Sequence, residues 1–487
     1  MYSLMKKIIT EKDIKRQVSL VELLLNHSQI TVNELAEAVN TTERTIFSDL
    51  QTIKTQLPKG WLINSDQSGI QLKNEQNLLT NELWEIFLTQ SISVQLLKEL
   101  LTIKEVATPA TPTFLARNGL SYETLNRHVK KLNQQLVVYE LQIEQNRHRL
   151  SFSGEEETIR LFYHRLLMPF THNNYFFEDY SIHESHYFRF LKRLRQAELA
   201  VDTEEVFGIC WFFINTIRIK AGCRIPTSLF STQDQLFLLY APELEKLYRT
   251  EGVYLKDKEA AFAFSCFLDS WNYNNSYPPM ILDILHRHPA ETNIREFVNR
   301  LSESLAIKEL EQTNLPENLI LLLLKYYESP LLIEQTTKQY HYYLKEYEQE
   351  YPELYPHKFA LLQQVKESTS MVKKVTNETY FFYLLSLLIQ QTLLAVQPYQ
   401  ATIYFIFQGE PSWKAFLQQE LNAYLGKRVI LEPIELSQLS DITIKKNDLL
   451  VSNIPIDTPP MPVIYLSTIP TKNELDRLSD LSLRSYL

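Results

Sequence analysis

One helical pattern occurs twice near the start of this 487-residue chain, and the two copies lie 79 residues apart. In each copy four apolar residues are spaced 4, 3 and 4 positions apart, which places them along one face of an α-helix. The two stripes are Ile46, Leu50, Ile53 and Leu57, and Leu125, Val129, Leu132 and Leu136. The repeat therefore restricts residues 1–154, called the head below, to two similar helical units.

Capping and turn residues precede each stripe in the same order. The segment Thr31–Glu34 has the spacing of a capping box, which starts a short helix. Asn40 follows where the chain must turn sharply, since asparagine tolerates the left-handed conformation, and Thr42 is suited to cap the next helix. In the second copy, Gly119 and Ser121 occupy these two places. This order is typical of a helix-turn-helix.

Two short apolar strands are predicted after each of these helices. The predicted strands are 61–63 and 70–72 in the first copy, and 138–143 and 149–152 in the second. Three helices followed by a hairpin is the order of a winged helix-turn-helix. We therefore predict two winged domains, over residues 1–76 and 77–154.

The face opposite each stripe carries hydroxyl groups and cations. Such side chains donate hydrogen bonds to base edges and phosphates in the major groove. The candidate DNA contacts are Thr42, Arg44, Thr45, Ser48 and Thr52 in the first copy, and Ser121, Tyr122, Thr124, Arg127, Lys130, Lys131 and Arg147 in the second. Two alternatives stay open, because some three-helix bundles show this pattern without binding DNA, and because Lys130 and Lys131 also suit a solvated helix face.

The distribution of charge is compatible with this prediction. The net charge of the chain is −9, but residues 1–154 carry 17 Lys and Arg against 16 Asp and Glu. An acidic body cannot bind DNA broadly, whereas a nearly neutral head with local basic patches can. Between residues 117 and 149 there are six Lys and Arg against three acids, so the second unit should attract phosphate more strongly.

Residues 155–396, called the body, show helical periodicity, and the whole chain has only 9 glycines. We predict two helical domains here, over residues 155–285 and 286–396. The three widely spaced cysteines, Cys210, Cys223 and Cys266, have no disulfide or metal spacing, which favours buried, reduced thiols.

Eight of the eleven histidines lie in the body, and histidine can accept phosphate, titrate near neutral pH or bind a metal. These eight are His164, His172, His183, His186, His286, His288, His341 and His357. The spacing His183-x-x-His186 predicts two imidazoles on one helical face. The alternative is that they are ordinary surface or core residues. Zinc requires more ligands at known spacing, so we expect neither a metal nor a cofactor.

Residues 397–487, called the tail, alternate short apolar strands with helices, which predicts a small α/β domain with a parallel sheet. The predicted strands are 402–407, 429–431, 449–451 and 463–466, and a last helix is predicted over 473–486. The loop after the first strand has one glycine, and Glu410 would repel an anion there. We therefore expect no phosphate at this loop.

Over its whole length the chain resembles the Mga/AtxA family of virulence and sugar-responsive regulators in Firmicutes. The segments that carry the resemblance are Thr42–Leu50, Ser153–Glu156 with Ile159-Arg160, and Ile214–Ile219. The resemblance implies two helix-turn-helix domains, two phosphotransferase-system (PTS) regulatory domains and a tail similar to the sugar-transport subunit EIIB.

The resemblance also implies that histidine phosphorylation modulates activity and that the tail supports self-association. The candidate phosphorylation sites that it suggests are His183, His186, His341 and His357. Active EIIB subunits carry a cysteine three residues before a glycine, but here Ile406 precedes Gly409 at that distance. Phosphocysteine chemistry should therefore be absent.

Together these patterns predict a mainly α multidomain protein that binds promoter duplex DNA, forms a homodimer and receives phosphate from a PTS phospho-carrier protein. No apolar segment follows Lys6 and Lys7 as in a signal peptide, so we expect a cytoplasmic protein without a membrane partner. The alternatives are an RNA-binding antiterminator, which the helical N-terminus disfavours, and an enzyme, either a phosphotransferase or a metal hydrolase. The absent cysteine and metal motif disfavour an enzyme.

Overall fold

The structure is a computed structural model that forms two compact units, Met1–Ile284 and Leu285–Leu487. It describes residues 3–66, 69–102, 110–171, 176–178, 180–226, 234–273, 276–305, 307–328, 378–396, 401–425, 429–439, 441–442, 444, 448–475 and 477–478. Helices predominate, and the described strands form two hairpins and one four-stranded sheet. The mainly α architecture predicted from the sequence is confirmed.

The first winged unit has four helices and an antiparallel hairpin. Its elements are α1 Ser3–Ile8, α2 Lys12–Asn26, α3 Val32–Ala38, α4 Glu43–Gln56, β1 Trp61–Asp66 and β2 Gly69–Asn74. An isolated bridge between Ile30 and Ile70 ties the hairpin to the segment before α3. The capping box of α3 is present, with Thr31 and Glu34 bonding each other's backbone N–H groups. The predicted helix-turn-helix with its wing is therefore formed.

The second winged unit repeats the first element by element. Its elements are α5 Asn81–Gln90, α6 Ile92–Leu100, α7 Ala110–Asn118, α8 Tyr122–Leu136, β3 Gln142–Gln145 and β4 Leu150–Ser153. Each begins between 78 and 81 residues after its counterpart. The predicted strand start at Val138 is wrong, because Val137–Tyr139 forms a 3-10 turn after α8. Glu140 then reverses the chain with a φ of 56°, so the strand begins only at Gln142.

The first part of the body is a group of five helices. They are α9 Glu156–Leu167, α10 Glu184–Gln196, α11 Glu205–Lys220, α12 Gln235–Arg249 and α13 Asp257–Asp269. Helix α11 is buried on all sides from Gly208 to Ile219 and contacts α9 and α13. Cys210 and Cys266 are buried in this group, as predicted, whereas Cys223 is partly exposed.

Four more helices follow among the described residues up to 396. They are α14 Pro279–His286, α15 Glu291–Leu305, α16 Leu315–Glu328 and α17 Glu378–Val396. Helix α16 contacts both α15 and α17. Among the residues that the structure describes, no helix is both long and apolar enough to cross a membrane.

The tail is an α/β unit with the predicted parallel sheet. Its elements are β5 Ala401–Ile406, α18 Pro411–Leu425, β6 Val429–Pro433, β7 Leu449–Ser452 and β8 Val463–Tyr465. The strand order is β6-β5-β7-β8, and all pairs are parallel. Separate apolar clusters cover its two faces, which explains why the strands are continuously apolar. The last helix begins at Lys472, one residue before the predicted start, and is described to Leu478.

Candidate nucleic-acid interface

Helix α4 is the predicted recognition helix of the first unit, and local contacts fix where it begins. Asn40 forms the predicted left-handed turn with a φ of 52°. The Thr42 hydroxyl accepts a hydrogen bond from the Thr45 backbone N–H at 3.3 Å, which caps the helix. Three residues of the apolar stripe are buried and the fourth, Leu57, is partly buried. The opposite face of α4 is therefore the one that is turned outward.

A polar contact that the sequence did not reveal holds α4 on α2. Asp49 is only 5% exposed, although it lies in the middle of α4. Its carboxylate accepts hydrogen bonds from Arg16 at 3.1 Å and from Gln17 at 3.2 Å, both on α2. The contact with Asp49 raises the pKa of Arg16. The acid is thus neutralised within its own unit and does not repel a phosphate.

The predicted contacts on α4 differ in how available they are. Arg44 and Ser48 are exposed, whereas Thr45 and Thr52 are partly buried. The Thr52 hydroxyl donates to the Ser48 carbonyl at 3.0 Å, and the Thr42 hydroxyl lies 2.9 Å from that of Thr45. Arg44 and Ser48 are therefore the members of this set that are best placed to reach a groove.

An outward apolar residue of α4, Phe47, was not among the predicted contacts. Phe47 lies between Arg44 and Ser48 in sequence and is 59% exposed. It is apolar but falls outside the 4-3-4 stripe, and that mismatch is the signal that finds it. Because the ring is outward on the same helix as Arg44 and Ser48, it is accessible to a molecule that contacts them.

Helix α8 of the second unit has the same construction. The Ser121 hydroxyl accepts from the Thr124 N–H at 3.2 Å, and all four residues of its apolar stripe are buried. Arg127 and Lys130 are exposed, and Arg127 donates to the Thr124 hydroxyl at 3.2 Å. Tyr122 is partly buried. The second unit therefore presents cations where the first presents mainly hydroxyls.

Lys131 lies at the edge of α8 that faces the first unit. Its ammonium donates to the Thr10 carbonyl at 3.2 Å, and the neighbouring His128 ring bonds the Thr10 hydroxyl at 2.7 Å. Burial lowers the pKa of His128 despite the nearby carboxylate of Glu11, 3.6 Å away. Lys131 is exposed, as predicted, but its ammonium also bonds the first unit, so this edge of α8 joins the two units.

The second wing is basic at its tip and is fixed to α8. Arg147 and Arg149 are exposed, and Asn146 shapes the turn by accepting two backbone N–H bonds at 2.8 Å. Asn133 of α8 exchanges hydrogen bonds of 3.0 and 2.7 Å with the backbone of Ile143 in β3. These bonds fix the backbone of the wing beside α8 and leave its two arginine side chains exposed at the tip.

Two family models match segments that contain the two recognition helices, and the second segment also contains the second wing. The model of the M protein trans-acting positive regulator (MGA) helix-turn-helix domain matches residues 11–69, and that of the Mga helix-turn-helix domain matches residues 76–167. The head carries two Mga-type helix-turn-helix domains. A third model, a non-canonical single-stranded DNA-binding domain, matches residues 288–395.

Two regulators of Bacillus anthracis are similar to this chain. The capsule synthesis positive regulator AcpB is 21% identical over 489 residues, which cover 95% of this chain and 97% of AcpB. The capsule synthesis positive regulator AcpA is 27% identical over 173 residues, 35% of each chain. With the Mga-type domains, the match to AcpB along the chain confirms the resemblance to the Mga/AtxA family of DNA-binding transcription regulators.

In the body, which follows the head in sequence, two of the four candidate phosphorylation sites lie close together. The rings of His183 and His186 are 5.8 Å apart, but His183 is the residue before α10, so the two do not share a helical face as predicted. The His186 Nδ1 contacts the Glu251 carboxylate at 2.5 Å, and Lys220 lies 3.6 Å from the same carboxylate. His341, His357 and His172 lie outside the described residues.

Other histidines of the body are in structural contacts. His164 is fully buried and stacks on Trp211 with ring centroids 4.1 Å apart. Burial lowers the pKa of His164 well below its usual value, which keeps the ring neutral. His286 bonds the Glu317 carboxylate at 2.9 Å, which also accepts from Arg295. These two contacts hold helices together.

In the tail, a backbone N–H group that could bind an anion after β5 already donates a hydrogen bond to a carboxylate. The Glu410 carboxylate accepts a hydrogen bond from the Trp413 N–H at 2.9 Å, at the start of α18. This contact lowers the pKa of Glu410. Its negative charge therefore sits where a bound phosphate would have to be placed. Ile406, three residues before Gly409, is buried in the sheet.

Proposed function

We propose that this chain is a sequence-directed transcription regulator that binds promoter duplex DNA through both winged units and acts in the cytoplasm as a homodimer, without being an enzyme. The observation that carries this proposal is the pair of helices α4 and α8. Each buries its apolar stripe and presents a polar, cation-bearing face outward. The names of AcpB and AcpA as positive regulators support the same function.

Salt dependence of duplex binding tests this function. Affinity of the full chain for a promoter fragment is measured by gel shift between about 50 and 200 mM salt, where each phosphate contact steepens the loss of affinity. We expect a steep loss, because Arg44, Arg127, Lys130 and Arg147 are exposed. Affinity that does not change with salt would refute the proposal. Sedimentation at the same protein concentrations tests the homodimer.

Regulation through the body is supported by contacts at the end of α6, in the second winged unit. The carbonyls of Leu97 and Leu100 in α6, and of Leu101 directly after it, accept hydrogen bonds from body side chains. Tyr163 donates at 2.8 Å, and Arg218 donates at 3.2 and 3.1 Å. A rearrangement of α9 or α11 would therefore pull on α6, which packs against α8.

A buried ionic cluster connects Arg218 to the rest of the body. Glu156 bonds Arg218 at 2.6 Å and Arg160 at 2.9 Å. Arg160, which is fully buried, continues to Glu259 at 2.8 Å and to Asn215 at 3.3 Å. Helices α9, α11 and α13 thus share one charge network with the end of α6. Because separating buried charges is costly, a displacement of one of these helices should displace the others as well.

We further propose that PTS-dependent phosphorylation of His183 or His186, and of His341 and His357, modulates DNA binding. A phosphoryl group on His186 would add negative charge beside Glu251 and replace their hydrogen bond by repulsion. Incubation with labelled phospho-carrier protein tests this step. His183→Ala/His186→Ala and His341→Ala/His357→Ala should each lose label, whereas the head control His27→Ala should not. Labelling that is equal in all variants removes these assignments.

A second candidate function is contact with single-stranded DNA by residues 288–395, which the family model for that segment favours. It is tested by binding of a labelled single strand to the full chain, alone and in the presence of unlabelled duplex. We expect the single strand to bind without being displaced by the duplex if the two sites are separate. Absence of any binding of the single strand would remove this candidate.

A further inference from the structure

Equivalent positions of the two recognition helices carry chemically different side chains. Phe47 is the fifth residue of α4, and Asn126 is the fifth residue of α8, 79 residues later. Both are exposed, and each directly follows the first buried residue of its apolar stripe. The frame of capping residue, stripe and wing that holds them is the same. The difference in side-chain chemistry at this shared position predicts a difference in what the two helices contact.

The position of both residues places them among those that meet bases. In a helix-turn-helix the N-terminal part of the recognition helix contacts base edges. An apolar ring is suited to the 5-methyl group of thymine, and an asparagine amide pairs with N6 and N7 of adenine. Arg44 and Ser48 flank Phe47 with groups that suit the DNA backbone, so a purely apolar partner protein is a poorer match for this face.

We propose that Phe47 contacts the 5-methyl group of a thymine and that Asn126 contacts the major-groove edge of an adenine, so that the two winged units select different bases. This inference rests on the proposed function, because it needs duplex DNA on both helices. It adds the base chemistry that each unit selects. The ring of Phe47 is available for this contact because the fold leaves it 59% exposed.

Base analogues test each contact separately. A duplex is selected from a random library with the full chain and is then remade with uracil for thymine, or with 7-deazaadenine for adenine. Uracil lacks the methyl group, and 7-deazaadenine lacks the N7 acceptor. Loss of one contacted methyl should weaken binding about fourfold. Loss of the adenine contact should weaken it about fivefold or more.

The variants should show crossed effects. Phe47→Ala should bind thymine and uracil duplexes equally and keep its sensitivity to 7-deazaadenine. Asn126→Ala should lose sensitivity to 7-deazaadenine and keep its sensitivity to uracil. Phe188→Ala, which removes another exposed phenylalanine from the body, should behave as the wild type in both assays. If Phe47→Ala binds too weakly to measure, Phe47→Leu replaces it and should show a reduced thymine preference.

The outcomes separate this inference from the function on which it rests. If the wild type selects no duplex, the proposed function fails. If it selects a duplex but Phe47→Ala discriminates uracil as the wild type does, or Asn126→Ala still senses 7-deazaadenine, the inference fails. If Phe47→Ala changes only the oligomeric state, measured by sedimentation, Phe47 belongs to a contact between two copies and the inference is overturned.

Discussion

The two winged units have the same order of elements, but their recognition helices are held in place by different parts of the chain. In α4, Asp49 is bound by Arg16 and Gln17 of the same unit. In α8 the equivalent position is His128, which bonds Thr10 of the other unit. Helix α6, which supports α8, is in turn bonded by the body. Helix α4 is therefore held by its own unit, whereas α8 also depends on contacts outside its unit.

The outward faces of the two recognition helices also differ in chemistry. Helix α4 presents Phe47 and hydroxyls, which suit base edges, while α8 and its wing present Arg127, Lys130 and Arg147, which suit phosphates. A unit that is fixed by the body and attracts phosphate is the better place for a signal to change affinity.

The largest expected effect is on the buried support of the second unit. Arg218→Met leaves Glu156 without one partner in a region where the Arg218 side chain is only 4% exposed. We expect the free energy of unfolding to fall by about 3–5 kcal/mol. Arg16→Met, at a pair whose arginine is 26% exposed, should cost less. Urea unfolding measures both.

Arg195→Met is the matched control, since that arginine is 69% exposed and 3.8 Å from Glu205. An exposed pair of this kind contributes about 0–1 kcal/mol. Equal losses in Arg218→Met and Arg195→Met would contradict the view that the second unit depends on the body.

The next effect concerns the difference in phosphate attraction. Arg127→Ala/Lys130→Ala should lower the magnitude of the salt slope for duplex binding by about 1.8, since each lost phosphate contact contributes about 0.9. Arg44→Ala should lower it by about 0.9 at most. Lys131→Ala is the control, because its ammonium is bonded to the Thr10 carbonyl. A slope that Lys131→Ala reduces as much as Lys130→Ala would show that α8 does not lie as described.

The sequence predicted those features of the head that depend on neighbours in the chain. The caps Thr42 and Ser121 and the turns at Asn40 and Gly119 are local, and the structure has each where it was expected. The predicted strand start at Val138 was wrong, because a 3-10 turn over Val137–Tyr139 continues α8. The local composition is compatible with either conformation.

Features that depend on distant contacts were not predictable. The contacts of Lys131 with Thr10 and of Asp49 with Arg16 join residues 121 and 33 positions apart. The segments that carried the family resemblance contain Glu156, Arg160 and Arg218, but no spacing indicated that these residues form one buried cluster. Phe47 was missed because the periodicity argument considers an apolar residue only as part of a core.

A smaller effect is the response to acid of the contact between His128 and Thr10, which joins the two winged units. Burial lowers the pKa of His128 below its usual value near 6.5, so the folded protein favours the neutral form of the ring. Its contribution to stability is complete above about pH 6.5 and is lost as the pH falls from there through the lowered pKa. The slope for one group is at most about 1.4 kcal/mol per pH unit.

Thermal unfolding of the wild type and of His128→Gln between about pH 7.5 and 5 measures this response. The wild type should lose more stability than the variant, since His164 and the other groups titrate equally in both. In the first unit Asp49 occupies the equivalent position, so Asp49→Asn should not remove the acid response in this range. Parallel curves for the wild type and His128→Gln would exclude His128 as its source.

The smallest expected effect should be the same in the two units. Thr42→Ala and Ser121→Ala each remove one N-cap hydrogen bond, of 3.3 and 3.2 Å respectively. Each should destabilise its unit by about 1 kcal/mol, whereas Thr42→Ser and Ser121→Thr should change little. Thermal melting measures the four variants. If only one of the two alanine variants lost stability, the N-caps of the two units would not be equivalent.

The measurement that tests the central claim most directly is a hydroxyl-radical footprint of the full chain on a selected duplex, with wild type, Arg44→Ala and Arg127→Ala. Outward-facing α4 and α8 predict two separate protected segments, one weakened by each variant while the other persists. A single protected segment that both variants weaken together, or protection that neither variant changes, would contradict the account of two DNA-contacting units.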